Sequence, residues 1–68
     1  MKRFQGKRFI DDYVDLTGSV CHDCYFDGCV VELRAGPMFD IQGNNFQECQ
    51  FVGDGWWWGK PHLEVRLP

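Results

Sequence analysis

Sixty-eight residues with ten acids, seven Lys or Arg and a net charge of −3 bound the protein to one domain, residues 1–68. A core this small needs help from regular packing, a metal, a disulfide or a partner. No apolar run is long enough to span a membrane and no signal-peptide core follows the basic start, so the expected location is the cytoplasm.

Lys2, Arg3, Lys7 and Arg8 make the opening basic, whereas residues 9–59 hold nine acids against the single base Arg34. Such a body repels phosphate, which argues against direct nucleic-acid binding. Residues 8–10, "RFI", start a partial unit. Residues 13–28, "YVDLTGSVCHDCYFDG", then align with residues 38–53, "MFDIQGNNFQECQFVG", at an offset of 25, with Asp15/Asp40, Gly18/Gly43, Cys24/Cys49, Phe26/Phe51 and Gly28/Gly53 identical. Self-similarity at a fixed offset is the mark of a stacked solenoid.

A shorter rhythm runs inside the repeat. Leu16, Cys21, Phe26, Val31, Ile41, Phe46, Phe51 and Trp56 lie on one five-residue grid, which only Gly36 breaks. Val14, Cys24, Cys29, Phe39 and Cys49 lie on the same grid displaced by two. Period five is neither helical nor simple strand alternation; it fits short strands that turn a corner every few residues, with both apolar positions pointing inward. Gly18, Gly28, Gly43 and Gly53 fall where a corner needs positive φ. Asn44 and Asn45 suit an adjoining corner or a side-chain ladder. Frequent Gly and Asn, with many β-branched and aromatic residues, oppose a long helix.

"NFQECQFVGD" and "CYFDGCVVEL" resemble pentapeptide repeats and, more loosely, right-handed parallel β-helices. The expected fold is therefore all-β: a short right-handed parallel β-helix of about two coils with a 25-residue repeat. The repeat body is 9–56 and a Trp-rich cap is 57–68. "LRAGPMF" supplies extra length as a loop. Some members of the resembled family are acidic rods that mimic duplex DNA and block DNA-handling enzymes. The resemblance thus implies a non-enzymatic interaction protein, an inhibitor or decoy with a protein partner.

The residues expected to meet that partner are Asp15, Asp23, Asp27, Asp40, Glu48 and Asp54, with Trp57 and Trp58. Trp56 to Trp58 form either a lid on the last coil or an aromatic patch, and homo-oligomer formation through this end would serve both. A competing reading is a binder of a nucleotide-like ligand through Trp57, Trp58, Lys60 and His62.

Cys21, Cys24, Cys29 and Cys49 admit a second competing reading as zinc ligands, because C-x2-C is a common half-site. No second paired half-site follows, and the cysteines fall on inward grid positions, where they serve as small apolar filler. Cys24 and Cys49 would then stack. Cys21, His22 and Asp23 are consecutive, so alternation along a strand separates them. No catalytic residues and no cofactor are assigned.

Overall fold

Each strand is three residues long, and the reason is local. In most strands the centre residue points inward between two outward neighbours, and the next residue takes a left-handed conformation that swings the chain round a corner. Gly6, Asp11, Asp23, Gly28, Gly43, Glu48 and Gly53 stand at these positions, with φ between 49° and 100°. The computed structural model describes residues 2–56. It runs β1 (Arg3–Gln5), β2 (Arg8–Ile10), β3 (Tyr13–Asp15), β4 (Val20–His22), β5 (Tyr25–Asp27), β6 (Val30–Glu32), β7 (Asp40–Gln42), β8 (Asn45–Gln47) and β9 (Gln50–Val52). Among the described residues there is no helix, and so none long and apolar enough to cross a membrane.

The strands form three parallel sheets, β1-β4-β7, β2-β5-β8 and β3-β6-β9, so the section is a triangle. The protein is a short parallel β-helix of about two coils: two full turns carry the chain from Arg3 to Asp40, and β8 and β9 continue into another. Arg3 lies over Val20 and Val20 over Asp40, steps of 17 and 20 residues. Both steps differ from the 25-residue offset. That offset relates each strand to the next side of the following coil, as Cys21 on the first side to Phe46 on the second. The five-residue module repeats faithfully, whereas the third corner takes a variable insertion. Thr17 to Ser19 lengthen it in the first coil, and the loop around "LRAGPMF" does so in the second.

Three inward columns result: Phe4–Cys21–Ile41, Phe9–Phe26–Phe46 and Val14–Val31–Phe51. The middle column is a ring stack, with Phe26 4.9 Å from Phe9 and 4.7 Å from Phe46 at interplanar angles of 14° and 16°. Leu16 and Leu33, both fully buried, fill the third corner. At the C-terminal end Trp56 meets Phe51 edge-on at 4.8 Å, and its indole Nε1 donates to the Val52 carbonyl at 2.9 Å. Trp56 is thus packed on the core, as its grid position requires. Trp57, Trp58, Lys60 and His62 lie outside the described residues.

Candidate interaction surfaces

Inward cysteines are filler and hydrogen-bond donors. Cys29 Sγ donates to the Phe9 carbonyl at 3.2 Å, Cys24 Sγ to the His22 carbonyl at 3.4 Å and Cys49 Sγ to the Gln47 carbonyl at 3.4 Å. Burial pushes the Cys21 thiol far above its ordinary range, and burial also raises Cys49. The expected Cys24–Cys49 stack does not form. Cys29 lies over Cys49, while Cys24 lies over Asn44, because the coil step here is 20 residues. Among the described residues no three His, Cys, Asp or Glu side chains group to hold a metal ion.

Asn44 is a residue whose role the sequence left between a corner and a ladder. It is buried, with its Oδ1 accepting from Cys24 N at 2.7 Å and its Nδ2 donating to the Cys21 carbonyl at 2.9 Å. One amide thereby satisfies the Cys24 N–H that the corner takes out of the ladder and adds a second donor to a carbonyl of β4. Leaving the Cys24 N–H unpaired would cost about 1–3 kcal/mol.

The six predicted acids do not converge on one face. Asp23 projects from the first corner, where its Oδ2 accepts from Gln5 Nε2 at 3.1 Å. Asp40 is on the first side, 3.0 Å from His22 Nε2 and bonded to Gln42 Nε2 at 2.6 Å. Asp15 accepts from Thr17 N at 3.0 Å and Asp54 from Ala35 N at 2.9 Å, both bracing the third corner. Glu32, nearly buried, pairs with Arg34.

Asp27 and Glu48 share a different edge. Ile10, Asp27 and Gln47 stack at the end of the second side, and the corner beside them carries Asp11, Gly28 and Glu48 in successive coils, with Asp12 adjoining. Asp11, Asp12, Asp27 and Glu48 thus form an acidic ridge along the stack, and none has an ion pair among the described residues. Sequence reading gave Asp11 and Asp12 no role, because their neighbours across the coils are not neighbours in the chain. The alternation of acid and glycine has a physical cause. A methyl group on Gly28 would fall 2.4 Å from Asp11 Oδ1, and one on Gly43 2.4 Å from Asp23 Oδ1. The carboxylate of one coil occupies the space above the next coil's glycine. At this corner position the Asp11 and Glu48 carboxylates are therefore two coils apart, about 9–10 Å, where their repulsion is weaker.

Two acids give a pH response. Asp15 is held below its ordinary value of 3.8, first by the Thr17 amide; Asp40 is held below it, first by Gln42 and then by His22. A depressed folded-state value stabilises the fold above the unfolded value and loses that effect as pH falls through the folded one. The urea midpoint should therefore decline as pH drops below about 4. The Asp15→Asn/Asp40→Asn double variant should show a shallower decline, and an unchanged slope would show that these contacts contribute nothing.

The chain matches no protein-family model, no curated protein sequence and no solved structure.

Proposed function

We propose that this chain is a non-enzymatic, cytoplasmic protein-interaction module of pentapeptide-repeat type, an inhibitor or decoy for a nucleic-acid-handling protein. The observation that supports this reading is the acidic ridge of Asp11, Asp12, Asp27 and Glu48, fixed along one edge of the stack with no base paired to it among the described residues. Carboxylates so placed attract a basic patch at long range and are screened by salt. The ridge is short, since coils rise only about 4.8 Å each, so it addresses a few basic side chains and not a long groove.

Native mass spectrometry of the tagged chain recovered from its own host cells tests this. A stoichiometric protein partner is expected. The Asp11→Asn/Asp27→Asn/Glu48→Gln variant should weaken that complex at least about tenfold, the equivalent of 1.4 kcal/mol. Undiminished capture by the variant would remove the ridge from the interface. A homo-oligomer carrying a small extra mass would replace the reading with ligand binding at the Trp-rich end.

A further inference from the structure

The N-terminal end of the stack differs in kind from the ridge. There, among the described residues, β1, β2 and β3 each have a neighbour on one side only. Lys2 O accepts from Val20 N and Gly6 N donates to His22 O, so these residues face β4. In a parallel ladder the residues between alternate in direction, which turns the amides and carbonyls of Arg3 and Gln5 toward the open edge. Likewise Lys7 O accepts from Tyr25 N and Asp11 N donates to Asp27 O, which turns those of Arg8 and Ile10 outward.

The third side behaves differently. Tyr13 and Asp15 are its open-edge residues, and one backbone group of each is already engaged: Asp12 Oδ1 accepts from Tyr13 N at 2.8 Å and Lys2 Nζ donates to the Asp15 carbonyl at 3.0 Å. Among the described residues two edges are thus open, and the third is partly covered by the Asp12 and Lys2 side chains. The open pair is flanked by exposed Arg3, Lys7 and Arg8, the last 5.2 Å over the Tyr25 ring. Phe4 and Phe9, in edge contact at 5.6 Å, are half-buried at the end of the ring column. The acids of this coil, Asp11, Asp12 and Asp15, lie at the second corner and on the third side, away from Lys7.

We infer that the β1–β2 edge is a docking site for an extended acidic peptide segment of a partner, which adds as a strand beside Arg3–Gln5 or Arg8–Ile10. Backbone pairing supplies the register, Phe4 and Phe9 supply apolar contact, and Arg3, Lys7 and Arg8 select carboxylates. This surface adjoins the acidic ridge where Ile10 meets Asp11, but the inference does not depend on the ridge's role.

The test titrates the isotopically labelled full chain with a capped peptide of alternating Glu and Val, followed by amide NMR. Shifts and slowed hydrogen exchange should concentrate at Arg3, Gln5, Arg8 and Ile10. Methylating alternate peptide nitrogens keeps charge and side chains but removes about two backbone bonds, so affinity should fall about tenfold. A Gln-for-Glu peptide should bind more weakly, and added salt should weaken the Glu peptide alone. Ile10→Pro removes an outward-facing donor from an edge strand, where proline is tolerated, and should also weaken binding. Equal affinity of the methylated peptide, equal affinity of the Gln peptide, or shifts confined to other residues would each overturn the inference. Concentration-dependent shifts of the same four amides without peptide would overturn it in favour of a second copy, and their permanent protection in the free chain in favour of residues 57–68.

Discussion

Phe26→Ala should remove most or all of the chain's stability at room temperature. Phe26 is fully buried at the centre of the ring stack, face to face with Phe9 and Phe46. Truncating a buried Phe to Ala costs about 3–5 kcal/mol, and two stacked partners add to the loss. A chain of this size has a total stability of only about 5–10 kcal/mol. The ring lies in the middle coil, so neither end can collapse into the gap without breaking the register of the second side. Far-UV circular dichroism across a urea series gives the result directly. A Phe26→Leu variant, which retains most of the volume, should stay folded with a lowered midpoint. A cooperative, near-native transition for Phe26→Ala would mean that the columns do not carry the fold.

Gly53→Ala should destabilise far more than Gly6→Ala, although both glycines have positive φ. At Gly6, φ is 63° and a methyl group would meet nothing within 4 Å. Its cost is the left-handed conformation alone, about 1–2 kcal/mol. At Gly53, φ is 100° and a methyl group would fall 2.3 Å from the Leu33 carbonyl oxygen and 2.9 Å from its carbon. That obstacle is backbone and cannot swing away. The same carbonyl accepts from Gly55 N at 2.8 Å, and Leu33 N donates to Val52 O at 3.0 Å. Displacing Leu33 therefore loosens the third corner and the seat of Trp56 together, for about 3 kcal/mol or more. Thermal melts of the two variants side by side decide it. Equal shifts would mean that strain, and not the close approach, sets the cost at Gly53.

The acidic surface shows how far linear reading reached. All six acids singled out are polar corner or outward positions, as the five-residue grid implies. Asp23, Asp40, Asp15 and Asp54, however, are engaged in holding Gln5, His22 and Gln42, Thr17 and Ala35 respectively. Such partners lie up to 19 residues away, a distance set by the coil step. The ridge and the open β1–β2 edge depend on that step too, and so were not legible in advance.

What the residues alone determined is the module: an inward apolar centre, two outward flanks and a corner residue able to adopt positive φ, repeated every five positions. These are properties of adjacent residues, and any chain built this way coils into short parallel strands. What only the tertiary structure decided is the phase between coils. The two extra residues near Thr17 and Gly18 move the inward centre from Phe4, Phe9 and Val14 to Cys21, Phe26 and Val31, and the longer loop before Asp40 restores a triangular turn. An offset of 25 matches one module to another equally well whichever side each occupies, because side chains of one module do not encode which module lies beneath. Stacking does, through contacts between residues 17 or 20 apart: Phe26 on Phe46, Asn44 under Cys24, and Asp11 over Gly28.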